Sequence, residues 1–276
     1  MAKKKSVSES DTKPIGIFDS GIGGLTVAHA IKELLPNETQ VYFGDTAHLP
    51  YGDKSKAAIQ AYSIKIADVL LKKSCKTIVI ACNSASSSAY DLLEEYTGSK
   101  ARVINVIDPM VDYVAKRFSG QKVALIGTKR TIDSQAYEKK IRKADPTIKL
   151  KSVPTPLLVP MIEEGFFDNK ISHDIIDEYL GNPAFRGISA LILGCTHYPL
   201  IKKQIVDYFE GEVSVLDSSE IVAIHLQKEL SRHGLLSTEK TGTDHFLVSD
   251  YTTSFESTAE LFFRGKIHLE MYKLWE

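Results

Sequence analysis

Residues 76–86 read KTIVIACNSAS, and residues 188–200 read ISALILGCTHYPL. Each stretch opens on a run of Ile, Val, Leu and Ala and closes on a cysteine trailed at once by small polar residues. An apolar run of this length without alternation reads as a strand buried on both faces, the kind that fills a parallel sheet. Cys82 and Cys195 therefore end two such strands, one in each half of the chain. Ligands of open α/β sheets bind along that edge, so the pair points to one site with a thiol on either side.

A free cysteine often does no more than fill space. Cys75, in the turn before the first strand and without polar company, is read that way. Cys82 and Cys195 differ from it in their downstream neighbours: Asn83 and Ser84 after the first, Thr196 and His197 after the second. Nearby donors and a helix start stabilise a thiolate, and can bring a thiol from about 8.5 into the range of roughly 3.5–7.5. The same placement occurring twice argues for chemistry at both.

The chain has 276 residues, room for two domains of ordinary size. Hydrophobic residues make up 43% and charged residues 25%, the balance of a soluble globular protein. A formal net charge of −1 gives no electrostatic drive toward nucleic acid or an anionic membrane. Three cysteines without Cys-x-x-Cys spacing make neither a disulfide framework nor a zinc knuckle. They suit a reducing cytoplasm, which keeps thiols free. No apolar run reaches the roughly 18 residues of a membrane-spanning helix. MAKKKSVSESDTK, residues 1–13, lacks the apolar centre of a signal peptide and reads as a disordered leader.

Upstream of Cys82, residues 14–18 form a short strand, and DSGIGGLTV leads into a helix over 25–35. A strand VYFGD and a Pro- and Gly-containing loop HLPYGDKS come next, then a helix over 55–73 with Ile59, Tyr62, Ile66, Val69 and Leu70 on one face. A helix over 86–96 succeeds the Cys82 strand. VINVID, 103–108, is a strand, and Pro109 is read as opening the next helix. The second half repeats the order: strand 122–128, helix 134–144, strand and Pro-punctuated loop over 149–165, helix 173–180, the Cys195 strand, a helix to 208, the strand VSVLDSS and a helix over 220–233. The tail adds a strand at 244–250 and a helix ended by Gly265. The repeated order fits an internal duplication. The expectation is an α/β protein of two similar doubly wound domains with mostly parallel sheets and the active site in the cleft between them. With the boundary near Asp108, one domain spans 14–108 plus 217–276 and the other 109–216.

The glycines at 21, 23 and 24 support a rival reading. A Gly-rich turn before a helix can hold a pyrophosphate, and Asp45 lies about where a ribose-binding acid would lie. The motif is imperfect, since Thr26 stands at the position of its last small residue, and Asp19 would repel a phosphate.

Two thiols facing one gap suit the inversion of a stereocentre that bears an acidic proton. One group removes the proton from one face as thiolate, and the other returns a proton to the opposite face as thiol. General acid–base transfer works well when the pKa of the group lies near the working pH. Charge develops on the neighbouring carboxylate, so donors must be aimed there. Candidates are Asn83, Ser84, Thr128, Thr196 and the backbone of Tyr51 and Gly52. Asp19 and His197 could set the charge beside one thiol each, though a lone histidine is more often structural and Asp19 could simply cap a helix. Cys–His nucleophilic chemistry would explain only one cysteine, no Cys/His cluster has metal-ligand spacing, and a binding module would need neither thiol.

DSGIGGLTV, PYG at 50–52, ACNSAS around Cys82 and GCTHYPL around Cys195 together resemble the glutamate racemase family. IGTKRTIDSQAY, LLVPMIEEG and FESTAELFFRG resemble its middle and C-terminal segments, so the likeness runs from about Pro14 onward. The resemblance implies interconversion of L- and D-glutamate without pyridoxal phosphate or metal, in a bacterial cytoplasm that uses D-glutamate for peptidoglycan. It implies Cys82 and Cys195 as proton donor and acceptor, with Cys82 acting on the D- and Cys195 on the L-enantiomer. Asp19, Ser20, Tyr51, Gly52, Asn83, Ser84, Thr128, Thr196 and His197 match substrate-binding positions, with Glu163 a looser match. Ser84 stands where the family usually has Thr, which keeps the hydroxyl. His48 has no role in this reading, and a homodimer is the assembly considered.

Overall fold

The computed structural model describes residues 12–276. All but the last two residues of the expected leader lie outside the described residues. The first part of the chain runs β1 (Ile15–Asp19), α1 (Leu25–Leu34), β2 (Gln40–Gly44), α2 (Lys56–Lys72), β3 (Thr77–Ile80), α3 (Asn83–Thr97), β4 (Arg102–Asn105) and α4 (Ile107–Arg117). The second runs β5 (Lys122–Gly127), α5 (Lys129–Asp133), α6 (Ala136–Ala144), β6 (Lys149–Pro154), α7 (Leu158–Glu163), α8 (Lys170–Leu180), β7 (Ala190–Gly194), α9 (Lys202–Tyr208) and β8 (Ser214–Asp217). Then come α10 (Ser218–Arg232), β9 (His245–Val248), α11 (Thr253–Phe263) and β10 (Leu269–Met271).

The strands form two sheets, ordered β10-β9-β2-β1-β3-β4 and β6-β5-β7-β8. Every pairing among the described residues is parallel. The run β2-β1-β3-β4 in the first sheet matches β6-β5-β7-β8 in the second. In each, the chain goes out from its first strand to one side and then crosses to the other. That reversal opens a crevice at the C-terminal ends of β1 and β3, and of β5 and β7. The central strands β1, β3 and β7 are buried along their whole length, as their unbroken apolar sequence requires. β6, KLKSVP, has its lysines at solvent and lies at an edge, where exposed charge discourages further strand pairing.

One apolar core links both sheets. It runs from Ile15, Ile17 and Val79 through Leu25, Ala28 and Ile31 of α1 and Val222 and Leu226 of α10 to Val123, Leu125 and Ile192. Burying a side chain of this size stabilises the fold by about 1.5–3 kcal/mol. A second core, under α2 and α3, covers the other face of the first sheet.

Three local expectations change. α3 begins at Asn83, not Ser86, because Cys82 itself is the N-cap: its backbone is extended and its Sγ accepts from Ala85 N–H at 3.5 Å. The strand expected to reach 108 stops at Asn105, whose side chain accepts from the N–H groups of Ile107 and Asp108 at 2.8 and 2.9 Å. The helix starts there, and Pro109 falls within its first turn, where a missing N–H is harmless. The helix expected over 134–144 starts at Ala136 as α6, and a short helix not expected, α5, precedes it, with Gln135 in the left-handed region at φ 55° between them.

Candidate active site

Cys82 sits two residues beyond β3, at the start of the 15-residue helix α3. Its Sγ lies 3.8 Å from Ser20 Oγ, just past the end of β1. Burial pushes the thiol up to about 12, and the nearby Asp19 carboxylate adds to the rise. Cys82 is thus held as a thiol, although the Ala85 N–H and Ser20 work in the other direction. Asp19 is wholly buried. Its Oδ2 accepts from Gly21 N–H at 3.0 Å, and burial raises its pKa against the opposing charge of His197.

Cys195 comes directly after β7. His197 Nδ1 lies 3.7 Å from its Sγ, and His197 Nε2 lies 2.9 Å from Glu163 Oε1 at the end of α7. Burial alone would lower the imidazole pKa. The hydrogen bonds and charges of Cys195 and Glu163 outweigh it and bring His197 up to about 10. The imidazole is therefore cationic at neutral pH, beside one sulphur and facing one carboxylate. Phe262 packs edge-on against it at 5.1 Å.

The two halves hold each other's polar residues. Tyr137 of α6 donates to Asn83 Oδ1 at 2.8 Å. In the same sense Thr196 Oγ1 donates to Asp19 Oδ1 at 3.5 Å, and in the opposite sense Thr26 of α1 donates to the Thr196 carbonyl at 3.2 Å. Ser84 and Thr128 hydroxyls meet at 2.9 Å. Asn83 Nδ2 is buried without a hydrogen-bond partner. Because an unsatisfied buried donor costs about 1–3 kcal/mol, a ligand acceptor is the expected partner for that amide.

One cleft takes in both thiols together with Ser20, Tyr51, Gly52, Asn83, Ser84, Thr128, Thr196, His197 and Glu163. Asp19 is the exception among the sequence candidates: it lies beneath the cleft, tied to Gly21 and Thr196. Tyr51 lines the cleft, but its hydroxyl donates to Asp45 Oδ2 at 2.7 Å and is not free for a ligand. Cys75 is buried away from the cleft, packed against Gly16, and burial alone lifts its thiol to about 12.

The dinucleotide reading fails on geometry. A Cβ at Gly23 would come within 2.5 Å of the His197 ring, and one at Gly24 within 2.5 Å of Asp19 Cβ. These glycines let α1 pack against the thiol loops, and they leave no cradle for a phosphate. Asp45 is fully buried and accepts from Tyr51, Ser249 and Trp275, so it is not offered to a ribose.

Sequence reasoning missed the cleft's second wall, made by Thr155, Pro156, Val159 and Pro160 at the start of α7. It also missed Lys129, and Tyr137, which orients Asn83 from outside the cleft. LLVPMIEEG carried a signal only through the resemblance, and Tyr137 none beyond lying in IGTKRTIDSQAY. Among the described residues no helix is long and apolar enough to cross a membrane.

Residues 22–226 match the Asp/Glu/hydantoin racemase family model. The glutamate racemase of Chlorobaculum parvum is 40% identical over 254 residues, covering 92% of this chain and 93% of that protein. That of Neisseria meningitidis is 38% identical over 95% of this chain and 97% of its own. The crystal structure of glutamate racemase from Francisella tularensis in complex with D-glutamate superposes with a TM-score of 0.89 at 40% identity, covering 96% of this chain and 99% of that one. The chain belongs to the Asp/Glu/hydantoin racemase family. Within it, the chain falls among the glutamate racemases.

Proposed function

We propose that the protein interconverts L- and D-glutamate by moving protons at the α carbon between Cys195 and Cys82. The observation that carries the proposal is the entry of both thiols into one cleft from equivalent strand ends, with opposite charge environments. In the L-to-D direction the Cys195 thiolate, with cationic His197 beside it, takes the α proton. The electron pair left on carbon spreads into the α-carboxylate. The Cys82 thiol then gives its proton to the opposite face, leaving Cys82 as thiolate and Cys195 as thiol. The D-to-L direction runs the same steps backward.

Substrate-binding roles go to Ser20, Asn83, Ser84, Thr128 and Thr196, which line the cleft; the free donors among them, the Asn83 amide first, are the groups for the two carboxylates. Tyr51 and Gly52 line the cleft. Asp19, below the floor, orients Thr196 and sets the field at Cys82. Glu163 keeps His197 charged. We further propose the division into residues 14–108 plus 217–276 and residues 109–216, the changeovers falling in the first turn of α4 and at Asp217. The reading includes a cytoplasmic enzyme supplying D-glutamate for peptidoglycan, with a homodimer as its candidate assembly.

The test is L-glutamate in heavy water with purified protein and no added cofactor, analysed by chiral chromatography and NMR. The expected result is decay to equal amounts of both enantiomers, with deuterium at the α carbon of the product. Retention of L-glutamate without deuterium uptake would overturn the proposal.

A further inference from the structure

The chain has a single tryptophan, Trp275, and it reaches the active site from behind. β10 runs parallel to β9, so it ends on the same edge of the sheet as Cys82. Tyr272 N–H then donates to the Val248 carbonyl at 2.8 Å, and its ring meets Phe43 edge-on at 5.8 Å. This fixes the path of residues 272–276 over the ends of β9 and β2. At the end of that path Trp275 Nε1–H donates to Asp45 Oδ1 at 2.8 Å.

Asp45 links this segment to the cleft. Its Oδ1 also accepts from Ser249 Oγ at 2.8 Å, and its Oδ2 from Tyr51 OH at 2.7 Å, with His48 Nδ1 at 3.1 Å. The indole packs edge-on against His48 at 4.4 Å, His48 stacks on Tyr62 at 4.1 Å, and Lys65 Nζ lies 4.8 Å from the indole ring centre. The anchored segment, Leu49 to Asp53, forms one wall of the cleft. A carboxylate shared by four groups has little freedom, and each group fixes the others.

We propose that Trp275 is a positioning residue of the active site, holding the Leu49–Asp53 wall in place through the Asp45 carboxylate. The inference deepens the racemase reading and rests on it. Trp275 touches no reacting atom. It acts on how well the wall fits a bound dicarboxylic amino acid. A wall that contacts the ground state and the transition state alike affects KM more than kcat.

Two measurements test this. Trp275→Phe keeps an aromatic ring beside His48 and removes the donor to Asp45. It is expected to raise KM for glutamate about tenfold while kcat stays within about twofold. A chain ending at Leu274 should show a larger rise. Trp275 is also a built-in probe. In the Cys82→Ala, Cys195→Ala double variant, which cannot turn over, D-glutamate should change the tryptophan emission saturably. A KM unchanged in both Trp275 variants, whatever their melting temperatures, overturns the proposal. So does an emission that ignores D-glutamate bound as shown by calorimetry. Failure of the racemase reading would appear separately, as wild-type protein that does not racemise.

Discussion

Cys82 and Cys195 end equivalent strands, yet their neighbours oppose each other in charge. Cys82 is buried over a carboxylate, Asp19, and is pushed up to about 12 as a thiol. Cys195 lies 3.7 Å from an imidazole brought up to about 10. Topology brings each sulphur to the strand end, and the neighbours around the two differ in charge. Asp19 arrives from β1 across the switch point, while His197 comes from the cysteine's own loop and is held by Glu163 of α7. In the proposed two-base inversion one sulphur takes a proton while the other gives one, and the contrast between the two surroundings suits the L-to-D direction; the D-to-L direction starts from the reverse protonation.

The strongest way to break the comparison is to remove one sulphur. Cys82→Ala and Cys195→Ala should each lower racemisation by roughly 10²–10⁴-fold, the contribution of general acid–base transfer. The enantiomers are equally stable, so kcat/KM must fall equally in both directions, and that number cannot tell the thiols apart. Deuterium uptake can. In heavy water the Cys82→Ala protein should exchange the α proton of L-glutamate only, and the Cys195→Ala protein that of D-glutamate only, as read by NMR of each enantiomer. Uptake into the opposite enantiomer would reverse the assignment of faces.

The next test acts on the charge difference. His197 is raised above the usual histidine value of about 6.5 to about 10 by Cys195 and Glu163, against the pull of burial. A folded pKa above the unfolded one stabilises the protein fully below the unfolded value, and that contribution is lost as pH rises through the folded value. The window for His197 is therefore about 6.5 to 10. The alkaline limb of kcat/KM should fall near 10 as the imidazolium loses its proton, well before Cys82 titrates near 12. Glu163→Gln removes one of the groups holding His197 up, so the limb should move down by about one unit and kcat should drop about tenfold. A limb that stays in place would mean Glu163 does not set this charge.

Much of this site was legible in the sequence. Unbroken apolar runs ending in Cys82 and Cys195 mark buried parallel strands, and a parallel sheet has only one edge where such ends can meet a ligand. The repeated order of strand, helix and cysteine strand carried the doubled topology. Other features have no one-dimensional trace. Asp45 looked like a ribose acid because spacing alone cannot tell a carboxylate facing a ligand from one buried under four partners. Gly23 and Gly24 looked like a phosphate turn, because close packing against His197 and Asp19 imposes the same demand for glycine. Cys82 as a helix cap was missed because cysteine is a rare cap, and the Ser-rich stretch after it resembles a loop. β10 and Trp275 were missed because three residues of strand carry too little pattern to read.

The smallest effect should come from the contacts that cross between the halves, and it tests whether the crossing is symmetrical. Asn83 is held by Tyr137 and Thr196 by Asp19, each from the opposite sheet's side. The Tyr137 hydroxyl is fully buried, its ionisation suppressed by burial and then by Asp108 and Glu138, so it serves as a neutral donor. Tyr137→Phe keeps the ring in the core and removes one hydrogen bond, worth about 0.5–1.5 kcal/mol. The Asn83 amide then loses the partner that holds its Oδ1. KM for both enantiomers should rise several-fold, kcat should change little, and the melting temperature should fall by a few degrees. If kcat fell with KM unchanged, Asn83 would be acting on the transition state alone. Its role would then move from binding the carboxylate to stabilising the charge that develops on it.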